Sequence, residues 1–475
     1  MADDVTFQRL DYQAALPDWI LCADTVSGAR AVKSRQTMYL PQPNPTDKSV
    51  ENANRYKQYV ERAVFASITR RTLYGLLGML YRKPPVVELP TGLSYALENV
   101  DSGGVGIVQQ SIRTSEDVLK FGRCGLLVDF PETDGQVSRA AVASGIRPYI
   151  RQVDPRNVTN WRTSQMNGQS VLSLVVIYET TEEAGQFATV AIDQYRVLEL
   201  VGGVYTVSLW RKDEQSNDWY LHSQRVPTAS NGIPLDFIPF VFTGSTNNDP
   251  EIDPVPLLPI AELNIAHYRN SADYEDSVYI IGQPQAYIAG LDENWRKWLE
   301  EAGIYFGARA PFLLPEGGTA GILQAAPNSL AKEAMDQKEA LMIQLGAMLM
   351  TQGTVAKTAT QAGAEEAVQH SVLSLVAENV SKAYTQCIEW MGVFAGTTGG
   401  MFTINDDFIR VELTPQMLTA LIQAWQSGKL PDSDLWANLR KYGVIDSEKT
   451  DETIKDELST TGAGLNLDGQ GSTLG

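Results

Sequence analysis

Apolar residues fall into two rhythms along the chain. From Asn52 to about Arg82 they recur at helical spacing, with Val64, Ile68, Leu73, Leu76 and Leu80 on one side. Pro84 and Pro85 stop that helix. Residues 1–51 ahead of it read as an arm, with "LPQPNPTDKS" as a turn-rich connection. Beyond it, "SEDVLKFGRCGLLVDFP" predicts a helix that breaks near Gly122, followed by a short buried strand. "RPYIRQVDPRNVTNWR", "SVLSLVVIYET", "FATVAIDQYRVLELVGGVYTVSLWRKD" and "IPFVF" alternate or run apolar in short pieces. These predict strands, with a hairpin turn at Gly202-Gly203. A mixed helix-and-sheet domain over 52–254 follows.

The rhythm then becomes helical over much longer stretches. Pro259 fits the first turn of a helix that ends at Gly282 and Pro284, roughly 30 Å long at the usual rise. Its stripe, Ile260, Leu263, His267, Asn270, Tyr274, Ser277 and Ile281, is half polar, which predicts a face packed against neighbouring copies rather than a core. Residues 282–327 form an insert rich in Pro and Gly around one short helix, "DENWRKWLEEAG". A second long helix over 328–350 places Leu330, Ala334, Leu341, Leu345 and Leu349 at helical positions. A third, from Glu365 to Phe394, carries Val368, Val372, Leu375, Val380, Ala383, Cys387 and Met391. Ser371, Ser374, Ala377 and Ser381 mark its second, close-packed face. Residues 397–475 begin with an expected hairpin, "MFTINDDFIRVEL". Two helices follow, punctuated by Thr414-Pro415, Gly428 and Pro431-Asp432, and then a Gly/Ser/Thr-rich tail expected to be disordered.

Size and charge narrow the classes. The 475 residues hold about three domains' worth of core, and 43% hydrophobic with 20% charged residues is the composition of a folded protein. A net charge of −19 argues against a surface that grips nucleic acid by neutralising phosphates. Three cysteines and three histidines are scattered without metal-ligand spacing, and the odd cysteine count fits a reducing compartment. The N-terminus "MADDVTFQRL" lacks signal-peptide character, and "LYGLLGMLY" is far short of the ~20 residues of a spanning helix. A soluble, cytosolic chain is expected.

Three stretches invite a chemical reading. "TQGTVAKTATQAG", from Thr351 to Gly363, brings a glycine, a lysine and a threonine together. A phosphate loop needs four residues before Gly-Lys-Ser/Thr, whereas here three residues separate Gly353 from Lys357 and Ala356 replaces the second glycine. The preceding segment is also helical, so no ATP site is expected. "DENWRKWLEE" carries Trp295, Arg296, Lys297 and Trp298, which suit either a helix capping its own subunit or a docking surface. "HYRNSADYED" sets His267 and Asp273 six apart, off one helical face and with no second histidine near, so a structural role is expected rather than catalysis or metal binding. Asp129 and the pair Asp406-Asp407 read as strand-end and turn residues.

Several of these stretches together resemble one family. "RRTLYGLLGMLYRKPP", "FGRCGLLVDFP", "RPYIRQVDPRNVTNWR", "AELNIAHYRNSADYED", "IYFGARAPFLLPEGG" and "LIQAWQSGKLPDSDLWANLRKYG" are similar, in order over about 50–450, to segments of tailed-bacteriophage portal proteins. These belong to a group first catalogued as a domain of unknown function. The resemblance implies an α+β chain that assembles into a ring, usually of twelve, at one vertex of the capsid. Double-stranded DNA would pass through the ring during packaging and ejection. It further implies a wing (52–254 and the long helix 367–396), stem helices at 255–281 and 328–350, a clip at 282–327, a channel loop at 351–366 and a crown within 397–475. Gln352, Thr354, Lys357, Thr358, Thr360 and Gln361 become candidates to touch passing DNA. Trp295, Arg296 and Trp298 become candidates for partner docking, and Ile260, His267, Asn270 and Tyr274 for contacts between subunits. The implied partners are the terminase motor, a head–tail adaptor, and the major capsid and scaffolding proteins. The implied location is the virion, with assembly in the host cytoplasm. No catalytic residue, cofactor, metal or membrane is expected. The competing readings are another head or minor capsid protein and a nucleotide-dependent enzyme, for which the sequence holds no intact motif.

Overall fold

A computed structural model describes residues 4–131, 146–166, 168–185, 187–213, 216–282, 285–302, 314, 316–323, 329–350, 371–405, 415–441, 445–446 and 449–461. The chain divides into two units, Met1–Asp406 and Asp407–Gly475. Mixed helix and sheet is observed, in keeping with the α+β expectation.

Residues read as an arm instead carry α1 (Leu10–Ser27) and α2 (Ala29–Ser34). Tyr12, Trp19, Cys22 and Val26 lie at helical spacing on α1 and are buried, Trp19 and Cys22 completely. The same helix buries Asp24, which accepts hydrogen bonds from Arg35 Nε and Tyr39 Oη, both at 2.7 Å.

The single helix expected over 52–82 is two, α3 (Val50–Arg62) and α4 (Ile68–Leu80). Their separation has an identifiable cause in α6 (Leu258–Ile281). Ser271 Oγ accepts from Val64 N, Asn264 Oδ1 accepts from Thr69 N, and Asn264 Nδ2 donates to Ala66 O. Side chains of a distant helix thus satisfy the backbone groups that a break leaves open.

The short strand β1 (Val86–Glu88) precedes α5 (Ile107–Phe121), which ends at Gly122 as expected. That glycine has φ +78°, and a Cβ there would lie 2.7 Å from the Asp253 carbonyl oxygen. The chain then enters β2 (Arg123–Asp129), buried along its whole length. With β3 (Tyr149–Val153) and β9 (Phe240–Gly244) it forms a three-stranded antiparallel sheet in the order β3-β2-β9. The strands β4 (Val158–Met166), β5 (Gln169–Ala184), β6 (Thr189–Val201), β7 (Val204–Lys212) and β8 (Trp219–Arg225) make a five-stranded antiparallel meander. The hairpin expected at Gly202-Gly203 is present, with φ of +60° and +83° and Val201 paired to Val204.

After α6 come β10 (Gln285–Ala289), α7 (Glu293–Ala302) and β11 (Thr319–Leu323), with β10 and β11 pairing as a two-stranded sheet. Then follow α8 (Leu330–Met348) and α9 (Val372–Ala395). α9 is the central core helix, burying Leu373, Val376, Val380, Ala383, Tyr384, Cys387, Ile388 and Met391 against α5, β2 and β9. The strand β12 (Met401–Thr403) corresponds to the first arm of the expected hairpin. It pairs with β1 far back in the chain, Val87 opposite Phe402. Asp406, Asp407 and the expected second arm of that hairpin lie outside the described residues.

The second unit holds α10 (Pro415–Gln426), α11 (Asp432–Lys441) and α12 (Asp451–Thr461). Gly428, at φ +69°, ends the first of these as expected. The Trp425 indole donates to Asp432 at 2.6 Å, and Arg440 pairs with Asp451. α12 takes in the first residues of the tail expected to be disordered, and the rest lies outside the described residues. Among the described residues no helix is long and apolar enough to cross a membrane.

Candidate functional site

The pair α6–α8 stands out because it leaves so much apolar surface uncovered. The N-terminal part of α6 is core. Ile260, Ala261, Asn264, Ile265, His267, Tyr268, Ser271 and Ala272 are buried, and α1, α3 and α4 pack against it. The C-terminal part is tied down only at its edge. Tyr59 Oη donates to Asp273 at 2.5 Å, Arg62 pairs with Asp276 at 2.6 Å, and the Arg62 guanidinium lies 4.2 Å from the centre of the Tyr279 ring. Val278, Tyr279 and Ile280 at this end of the helix are nonetheless exposed.

α8 runs along α6. His267 Nε2 lies 3.2 Å from Glu339 Oε1, and Lys338 Nζ donates to Asn270 Oδ1 at 3.5 Å. The half-polar stripe of α6 therefore meets another helix of its own chain. Ile260 and His267 are 1% and 5% exposed, so their side chains are taken up by packing within this chain. Asn270 and Tyr274 are half-buried. An internal helix–helix seam with a few paired polar groups has the same composition as an interface between subunits, so the stripe by itself does not tell the two apart.

Burial along α8 is sparse: of its 19 residues only Met342 and Gly346 are buried. Leu330 is 70% exposed, Leu341 43%, Ile343 70% and Met348 53%. Gly346 lies at the crossing with α4, where a Cβ would sit 3.2 Å from Thr72 Cγ2. Helices of this length take most of their stability from a packed apolar face, and α8 has that face on one side only.

The insert between the two helices is equally open. Trp295 and Trp298 meet edge to face, ring centres 5.2 Å apart on the short helix α7, and Trp298 is 48% exposed. Arg296 pairs with Glu300 one turn on. Tyr287 and Ile322 of the two-stranded sheet are also exposed. Gly321 admits the Tyr287 ring, which a Cβ would meet at 2.8 Å.

At its far end α8 returns to the core beside the start of α9, where Leu373 N donates to Leu349 O at 3.3 Å. The intervening segment thus leaves and re-enters the fold at one place. Its candidate residues, Gln352, Thr354, Lys357, Thr358, Thr360 and Gln361, lie outside the described residues.

One site escaped the sequence reading. Asp129, read as a strand-end residue, is buried and pairs with Arg225 at 2.5 Å, while Arg196 stands 3.8 Å away. Arg196 also holds buried Glu179 at 2.7 Å, and Arg151 reaches Glu179 at 2.9 Å. Burial alone would favour loss of the Arg196 proton, but the Glu179 and Asp129 carboxylates more than reverse this and raise its pKa. A small cavity of about 170 Å³ borders the cluster, lined by Tyr149, Val207 and Ser223 among others. The charges answer one another across β2, β3, β5, β6 and β8, on partners 17 to 96 residues apart, so periodicity carries no signal for them. The three cysteines are buried and unpaired, with burial pushing Cys22 up to about 12. Among the described residues no three His, Cys, Asp or Glu side chains cluster as metal ligands.

Comparison with known proteins places the helix pair at the centre of a recognised segment. Residues 256–395 match the family described as Domain of unknown function (DUF4055), a stretch running from α6 through α9. No curated protein matches the sequence. Among solved structures the chain is similar to one in "Virion of native gene transfer agent (GTA) particle", with a TM-score of 0.41 and 13% identity, covering 81% of this chain and 91% of that one. It is similar also to a chain of "Neck of empty GTA particle computed with C6 symmetry", with a TM-score of 0.39, 14% identity and coverage of 78% and 89%. A third is from "Neck of native GTA particle computed with C12 symmetry", with a TM-score of 0.36, 13% identity and the same coverage.

Proposed function

We propose that the chain is the subunit of a tailed-phage portal: a ring at one capsid vertex through which double-stranded DNA is packaged and ejected. The observation that carries this reading is the open state of α8, a 19-residue helix with two buried residues and exposed apolar side chains on more than one side. Such a helix needs further chains beside it. Apolar positions that point in different directions suit a head-to-tail interface, which closes into a ring, better than a two-fold one. The ordered series of segments resembling portal proteins supplies the functional part of the reading.

In this reading α6 and α8 form the stem, and the insert around Trp295 and Trp298 docks the terminase and later the adaptor. The segment after Leu349 faces passing DNA. The net charge of −19 suits a conduit, because a strongly basic lining would hold DNA by counterion release. The chain itself carries out no chemical step, and ATP hydrolysis belongs to the separate motor. It resides in the virion after assembly in the host cytoplasm.

Native mass spectrometry and negative-stain microscopy of the purified chain test this directly. A closed ring with a central hole, most simply of twelve copies, is expected. A chain that remains monomeric or dimeric under assembly-favouring conditions, or that turns over ATP steadily after repurification, contradicts it.

A further inference from the structure

The ring reading leaves open which surfaces meet, and the geometry of α8 answers this. Leu330, Leu341 and Met348 are 11 and 7 residues apart, so they share one flank to within roughly 20°. Ala334, Gln337 and Gln344 fill the gaps, giving steps of four, three, four, three and four from Leu330 to Met348. That is heptad spacing, the pattern of a helix–helix seam. All six are exposed or half-exposed.

Ile343 lies two positions beyond Leu341, roughly 200° around the helix. It shares its flank with Lys332 and Asp336. The side turned to the fold, marked by Glu339, Met342 and Gly346, falls between these two flanks. The helix therefore carries one uncovered apolar surface on each side of its own packing face. Nucleic acid is a poor occupant for either: the Leu330–Met348 flank carries no cation, and Lys332 on the Ile343 flank is offset by Asp336. An anionic membrane surface is equally poor, with Glu333 and Asp336 alongside.

Resting on the ring reading, we infer that the occupant is a second copy of this chain, and that the Leu330–Leu341–Met348 flank of one copy seats against the Ile343 flank of the next. Area sets the limits of this contact. A flank about 28 Å long and 10 Å wide offers roughly 280 Å², below the ~800 Å² per partner of a stable interface. The seam must therefore continue onto further exposed apolar groups, and Val278, Tyr279 and Ile280, exposed at the C-terminal end of the helix that packs along α8, are available for it. α8 supplies the central strip of a larger head-to-tail contact.

The test uses two full-length variants, Leu341→Glu with Met348→Glu, and Ile343→Glu. All three positions are exposed, so both should melt at the wild-type temperature. Each alone should lower the ring fraction in native mass spectrometry by about tenfold or more. Mixed in equal amounts they should form a pair and nothing larger, because one intact flank of each variant remains to meet the other. Rings from both variants as abundant as from the wild type overturn the seam alone. Monomeric variants that give no pair on mixing overturn the flank-to-flank assignment. A wild-type chain that stays monomeric overturns the ring reading itself.

Discussion

Asp129 shows how much a single side chain can hold when its partners come from elsewhere in the chain. It sits at the end of the fully buried strand β2, accepts from Arg225 and from Tyr149 Oη, and stands near Arg196. Removing one member of a buried ion group leaves the other charges without compensation, which costs about 3–5 kcal/mol. Asp129→Ala should lower unfolding stability by that order in urea titration, and Asp129→Asn, which keeps an acceptor, by less. A loss under about 1 kcal/mol would mean that water compensates the arginines. The sequence showed only a carboxylate after an apolar run, because the residues that give it meaning are 96 and 67 positions away.

At the scale of elements, α7 and α8 stand apart from α5 and α9. α9 covers the central sheet and is buried on that side, so its periodicity was legible and its end at Ala395 close to expectation. Its start, capped by Ser371, comes at Val372, seven residues after the expected Glu365. α7 has the same helical punctuation but presents Trp298 to solvent beside Trp295. A paired aromatic surface with Arg296 on a short exposed helix suits a docking anchor. Replacing Trp295 and Trp298 together by Ala should leave ring formation intact and weaken capture of the motor or adaptor by about tenfold or more, measured by pull-down with purified partners. Loss of rings in that variant would place the pair in the subunit contact instead. Element boundaries were least legible where another element intervenes. Nothing local in "ERAVFASITR" announces that Asn264 and Ser271 will split one helix into two.

For the whole molecule the connection between α8 and α9 matters most. Its ends meet at Leu349 and Leu373, so a shorter connection still spans them. Trimming Thr354 to Thr360 should therefore give rings of normal stability while lowering the DNA retained by proheads built with them. Lys357→Glu should act in the same direction and more mildly, since on the proposed portal reading one lysine per copy would add only a weak, screened phosphate contact. Normal DNA content with the trimmed segment would make it a linker.

The sequence by itself determined the order and type of most elements. Gly122, Gly202-Gly203, Gly428 and Pro259 act through their own backbone, and helical or alternating spacing reports burial on one side of an element. It also determined the exclusion of a phosphate loop, since that motif is a matter of local spacing. Only the tertiary structure decided which side of α6 faces inward, that β12 pairs with the distant β1, and that residues 10–27 are core. These are choices among surfaces of similar composition. A half-polar stripe is equally at home against another helix of its own chain or against a second copy, and which one covers it depends on where the rest of the chain lies.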